Sequence, residues 1–210
     1  MNDILKAEFD TSLTEQNVHI LDPFVGTGTF ITRLLQSGLI RPEDMERKYL
    51  NEIHCNEIVL LAYYIADVNI ESVFHDITRR ETYLPYSGIC LTDTFQLAEK
   101  KHNELFTEFF QDNSKRVKKQ MATHVRVIVG NPPYSVGQKS ANDNAQNLSY
   151  QVLDARIAKT YASKSSAALK NSLYDSYIKA FRWASDRIPE NEGGIVAFIS
   201  NGAWIDGNAQ

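Results

Sequence analysis

The chain has 210 residues, 43% of them apolar, enough to bury the core of one catalytic domain. Its formal net charge of −4 excludes a stand-alone nucleic-acid binder held by a basic surface, because phosphate neutralisation requires clustered Lys and Arg. Two cysteines without Cys-x-x-Cys spacing, no basic-then-apolar leader, and no apolar run near the roughly 18 residues that span a bilayer predict a cytoplasmic protein without a metal site or membrane contact.

In chain order, the apolar run 18–21 reads as a buried strand and 29–37 as the helix after it. An apolar stretch then ends in Glu57, which opens a helix over 58–70, and a strand over 88–91 leads to a helix over 97–110. Cys55 and Cys90 fall within these runs as buried small hydrophobes. Lys115, Arg116, Lys118 and Lys119 are local candidates for DNA contact, with Lys159, Lys164 and Lys170 a thinner set; such a run is equally what a solvated helix face shows. A strand over 125–129 follows, and then the polar span 135–171, expected to be a mobile insertion that serves as a lid or as a plain flexible connection. A helix over 173–188 and a strand over 195–200 complete the pattern.

Short apolar runs alternating with helical segments mean parallel βαβ units. The predicted fold is a doubly wound, mostly parallel, Rossmann-like α/β sheet with helices on both faces and ligands at the carboxyl ends of the strands. Residues 1–210 are expected to be one domain, and the ending at Gln210, directly after a strand-and-loop pattern, reads as an interruption within a larger polypeptide.

The segment ILDPFVGTGTF at 20–30 puts a carboxylate at the tip of the first strand, then a turn with two glycines, then a helix. Gly26 and Gly28 permit close backbone approach to a ligand, and the helix start offers free N–H groups. No Lys follows the glycines, which removes the charge a P-loop NTPase needs, and Ile31 breaks the G-x-G-x-x-G dinucleotide pattern. The segment instead resembles motif I of the S-adenosylmethionine-dependent amino-methyltransferases of DNA: the pattern D-P-x-x-G-x-G-x-F is matched at each fixed position from Asp22 to Phe30. The resemblance implies that Asp22 holds the methionine amine, that Gly26 and Gly28 admit the cofactor, and that Phe24 packs beside it, with Pro23, Thr27, Thr29 and Phe30 completing the cofactor-binding loop. Two later acidic positions fit the same cofactor. Glu57 is placed to accept from the ribose hydroxyls, with Glu52 its rival; the following helix, with Ala66 and Asn69, resembles the family's second segment, and that resemblance favours Glu57. Asp93 is placed to accept from the adenine amine, with Thr94 and Phe95 beside the ring. Each carboxylate taken alone reads as a surface or capping group; their recurrence after successive strands is what groups them.

Residues 127–134, VIVGNPPY, are a buried strand ending in Asn131, Pro132, Pro133 and Tyr134. Two prolines fix the backbone and withhold two N–H donors, so carbonyls near the turn can face a ligand. An adenine N6 amine that gives one hydrogen to the Asn131 side-chain oxygen and one to the Pro132 carbonyl is drawn toward sp³ geometry, which exposes its lone pair. Methyl transfer then requires in-line placement more than acid–base chemistry. Tyr134 would stack on the base, and because N6 is out of reach within a duplex, the base must flip out. Taken alone, the tetrapeptide is also what a rigid strand cap looks like. It resembles motif IV of N6-adenine methyltransferases, and motif I preceding motif IV is the order of the group with a C-terminal recognition domain.

Residues 19–30, 51–71, 128–144 and 171–188 resemble the methyltransferase core of the Type ISP restriction-modification family, also described as predicted helicases. That resemblance implies an N6-adenine DNA methyltransferase using S-adenosyl-L-methionine on double-stranded DNA, with nuclease, helicase and target-recognition domains of the parent polypeptide as partners. Residues 174–177 sit where the family's motif V would cover the cofactor, though a buried amphipathic helix explains them equally well. Protein glutamine and ribosomal RNA guanine methyltransferases also use an Asn-Pro-Pro-Tyr turn with this cofactor, and a catalytically silent DNA- or cofactor-binding scaffold is the alternative outside enzymes.

Overall fold

The computed structural model describes residues 1–99, 111–133, 149–165, 171–200 and 202. Five strands, β1 (His19–Asp22), β2 (Ile53–Glu57), β3 (Ile89–Leu91), β4 (Val125–Gly130) and β5 (Ile195–Phe198), form one sheet in the order β3-β2-β1-β4-β5. All four pairings are parallel. The chain winds outward from β1 to β3, returns across the sheet, and adds β4 and β5 on the other side of β1. The expected doubly wound α/β architecture is therefore present, and its point of reversal lies between the carboxyl ends of β1 and β4.

Period-two alternation along the central strands sends side chains to two apolar layers. Ile20, Val127 and Val129 pack with Leu5 of α1 (Asn2–Phe9), Ile31 and Leu35 of α2 (Thr29–Gln36), and Ala66, Ile70 and Phe74 of α4 (Leu60–Thr78). Leu21 and Ile128 pack on the opposite face with Leu153 of α6 (Gln151–Ile157) and Ala180, Trp183 and Ala184 of α7 (Ser176–Arg187). Contiguous helical turns Pro42–Asp44, α3 (Met45–Arg47) and Lys48–Glu52 lead into β2, and α5 (Gln111–Ala122) leads into β4. Among the described residues, no helix is long and apolar enough to cross a membrane.

Several elements differ from expectation for local reasons. β2 is a fifth strand in which His54, Asn56 and Glu57 are as buried as Ile53 and Cys55. Its polar members have partners: His54 Nε2 lies 3.0 Å from His19 Nδ1, and Asn56 Nδ2 donates to Thr94 Oγ1 at 3.2 Å. Glu57 thus closes a strand instead of opening a helix, and α4 runs eight residues past the predicted end at 70 until Arg79 turns left-handed at φ 49°. The helix predicted over 97–110 is replaced at its start by the short turn Gln96–Ala98, because Asp93 Oδ1 accepts the N–H groups of Phe95 and Gln96 and Glu99 is extended; residues 100–110 lie outside the described part. α7 starts at Ser176, where the extended Asp175 accepts the Tyr177 N–H.

The polar span 135–171 is not uniform. Residues 135–148 and 166–170 lie outside the described part, but between them α6 and the turn Ala158–Ala162 bury Tyr150, Leu153, Ile157 and Ala162. Both cysteines are buried, as expected.

Candidate functional site

β1 and β4 are neighbours, with Ile20 opposite Val127 and Leu21 opposite Ile128, so the glycine turn and the proline turn leave adjacent strand tips. They meet through Asp22 and Gly130. The Asp22 side chain is fully buried, and its Oδ1 lies 2.9 Å from where a Cβ on Gly130 would sit, closer than any real side chain tolerates. Only a residue without a side chain at 130 allows a carboxylate at the tip of β1. Gly130→Ala should therefore cost about 1–3 kcal/mol through overpacking and displace Asp22, read as a lower denaturation midpoint.

Asp22 is held by one oxygen. The Phe24 N–H donates to Oδ1 at 3.0 Å, whereas Oδ2 is buried with no hydrogen-bond partner among the described residues. Burial pushes this carboxyl up from 3.8 to about 7, with the Phe24 amide working against the rise and the nearby Glu57 adding to it. A partnerless oxygen on a wholly buried carboxyl is costly unless something else bonds to it. Asn56 Oδ1, also buried, lacks a partner in the same way.

The loop beyond Asp22 is shaped by Gly26 and Gly28, at φ 56° and 90°. A Cβ on Gly26 would meet nothing within 4 Å, so open space lies beside the loop, while one on Gly28 would press at 3.4 Å on the backbone of Ala66 in α4. Asn69, one turn further along α4, donates to the Thr27 carbonyl at 2.9 Å. Pro23 and Gly28 are buried, Thr27 and Thr29 exposed, and Phe24 and Phe30 half-buried. Phe24 packs tilted against Phe95 at 5.4 Å and Phe198 at 6.1 Å between ring centroids.

Glu57, at the tip of β2, accepts the Gly26 N–H at 2.9 Å on Oε2 and the Ile58 and Val59 N–H groups at 2.9 and 2.8 Å on Oε1. It braces the glycine loop, caps the approach to α4, and keeps acceptor capacity chiefly on Oε2. Glu52 sits at the other end of β2, just before its first residue, where its carboxylate is bonded by the Asn17 N–H, contacts Arg47, and lies 2.8 Å from the fully buried Lys48 Nζ. Lys48 Nζ also donates to the Glu15 and Val18 carbonyls at 2.7 and 2.8 Å, so Glu52 belongs to a structural knot remote from the strand tips.

After β3, Thr94 is buried and donates to the Pro23 carbonyl at 2.6 Å while accepting from Asn56, which ties the ends of β1, β2 and β3 together. Asp93 Oδ1 accepts from Phe95 and Gln96, and Oδ2 accepts the Tyr150 hydroxyl at 2.8 Å. Tyr150 had no assigned role in the sequence; 57 residues and a polar span separate it from Asp93, and its signal was the apolar spacing of Tyr150, Leu153 and Ile157. At the tip of β4, Asn131 and Pro133 are exposed and Pro132 is buried, while Tyr134 lies outside the described residues. The Ile199 N–H donates to the Gly130 carbonyl at 2.9 Å and extends the β4–β5 ladder to the end of β4.

The tip of β1 and its neighbours thus offer a buried carboxylate oxygen without a partner among the described residues, a glycine loop and further carboxylates; the tip of β4 offers an exposed asparagine beside two prolines. Such a set suits a cation-bearing nucleoside beside a second, amine-bearing group.

Residues 3–169 match the family model described as N-6 DNA Methylase. Among solved structures, the chain is similar to a nuclease-deletion mutant of the Type ISP restriction-modification enzyme LlaGI in complex with a DNA substrate mimic, with a TM-score of 0.89 and 44% identity over 99% of this chain and 17% of that one. The ATP-dependent Type ISP enzyme LlaBIII bound to DNA gives a TM-score of 0.89 and 46% identity over 99% of this chain and 14% of that one. A DrdV–DNA complex gives 0.87 and 42% over 99% and 19%. The chain therefore spans less than a fifth of the length of each. No curated protein matches it.

Proposed function

The chain belongs to the N-6 DNA methylase family, and from that premise we propose that it transfers a methyl group from S-adenosyl-L-methionine to N6 of an adenine flipped out of double-stranded DNA. The observation that supports the reading is the closeness of Asp22 to Gly130, by which a buried carboxylate lies against the strand that leads into Asn131. The cofactor supplies an electrophilic methyl on a sulfonium. The chain's residues do the rest by placement. Asp22 Oδ2 accepts from the cofactor's ammonium, the loop over Gly26 and Gly28 admits its amino-acid end, Glu57 Oε2 takes a ribose hydroxyl, and Asp93 takes the adenine amine with Phe95 and Thr94 behind it. Asn131 Oδ1 and the Pro132 carbonyl each accept one hydrogen of the target amine, Pro133 holds that turn rigid, and Tyr134 stacks on the base; as the nitrogen takes the methyl it gains the positive charge the sulfonium loses, and its surplus proton leaves to water.

In this reading the chain is the modification module of a longer cytoplasmic restriction-modification polypeptide that also carries nuclease, helicase and target-recognition domains. With tritiated cofactor offered to the whole polypeptide together with duplex DNA, ribosomal RNA and release factor, label is expected on adenine of DNA. Label on RNA guanine or protein glutamine would replace the proposed substrate, and cofactor retention with no transfer would make the protein a silent scaffold.

A further inference from the structure

Asp93 is fixed at both oxygens, and the second anchor comes from a distant part of the chain. Oδ1 accepts the Phe95 and Gln96 N–H groups at 2.9 and 3.3 Å, and Oδ2 accepts the Tyr150 hydroxyl at 2.8 Å. A carboxylate bonded through both oxygens cannot rotate, yet Oδ2 keeps a lone pair.

Tyr150 is itself locked. It is buried, its ring meets the edge of Phe95 at 5.3 Å, and Lys179 Nζ lies 5.2 Å above it. Its N–H donates to Asp154 Oδ2 at 3.2 Å, and Lys179 Nζ lies 3.0 Å from Asp154 Oδ1. The helix that follows is pinned to the same loop, because the Glu99 carboxylate accepts the Val152 N–H at 3.1 and 3.0 Å and the Leu153 N–H at 3.2 Å. Burial and the Asp93 charge both raise the phenol pKa above its ordinary value, so the hydroxyl stays a donor.

We propose that Tyr150 is a positioning residue that sets the nucleobase specificity of the cofactor site, by aiming the remaining lone pair of Asp93 Oδ2 at the exocyclic amine of adenine. The proposal rests on the cofactor reading given above. A fixed acceptor favours an amine and opposes a 6-oxo group, whose oxygen would face the carboxylate with no hydrogen between them. Without the hydroxyl, Asp93 can turn aside and the opposition relaxes.

The test is calorimetric titration of the chain with S-adenosylhomocysteine and with its deaminated analogue S-inosylhomocysteine. The parent should prefer the adenosyl compound by about tenfold or more. Tyr150→Phe should lose most of that preference, binding the adenosyl compound about three- to tenfold more weakly and the inosyl compound no more weakly than the parent does. An unchanged preference in Tyr150→Phe overturns the proposal and leaves the cofactor reading standing. A parent that binds neither compound overturns both.

Discussion

Asp22→Asn is expected to yield a chain that folds more stably than the parent above pH 7 and binds no S-adenosylmethionine. The parent's carboxyl titrates at about 7 when folded and near 3.8 in the unfolded chain. Below about pH 4 both states hold the proton, and the group costs nothing. Between 4 and 7 the unfolded chain releases a proton that the folded chain keeps, so stability falls as pH rises. Above 7 the whole penalty, on the order of 4 kcal/mol, is in force. The neutral amide never meets it. Denaturant melts at pH 5 and pH 8 should therefore show the parent losing stability across that interval and the variant losing less. Calorimetry should show the parent's affinity for the cationic cofactor rising over the same interval, as the buried carboxylate gains its charge, and no binding by the variant. A variant that binds normally at pH 8 would remove Asp22 from the site.

Asn131→Ala in the whole polypeptide should leave cofactor affinity within about twofold and lower methyl transfer on the order of 10²–10³-fold, comparable to removing one preorganised hydrogen-bonding group from other active sites. Asn131 is exposed at the end of β4, so the fold has little to lose; a change within about 0.5 kcal/mol is expected in the melts. Asn131→Asp sharpens the prediction. The carboxylate accepts hydrogens as the amide oxygen does, so a role as acceptor predicts partial retention of turnover, with single-turnover kinetics reporting the chemical step. Near-parental rates in the alanine variant would show that the amine is activated elsewhere.

The central strands were legible because β1 and β4 are apolar runs that bury side chains on both faces. The turns after them were legible because glycine and proline punctuate in ways few other residues can. β2 is not legible as a strand for a concrete reason: His54 and Asn56 look solvent-seeking until their partners His19 and Thr94 are brought in from elsewhere in the chain. The same blindness to distant partners hid Tyr150, which lies in a span whose composition is polar although residues 151–162 are helical and partly buried. Among the site residues, the carboxylates emerged in sequence by their places after strands, but what they bond did not. Glu57 spends most of its acceptors on Gly26, Ile58 and Val59, and Thr94 spends its hydroxyl proton on Pro23. Local spacing locates a functional group; which of its atoms remain available depends on neighbours that only folding supplies.

Where β1 meets β4, the room that a side chain at position 130 would need is already filled by the Asp22 carboxylate. The ends of the two strands are therefore coupled, so that bulk added at one is felt at the tip of the other. Asn131, exposed just past this seam, can be exchanged without disturbing it.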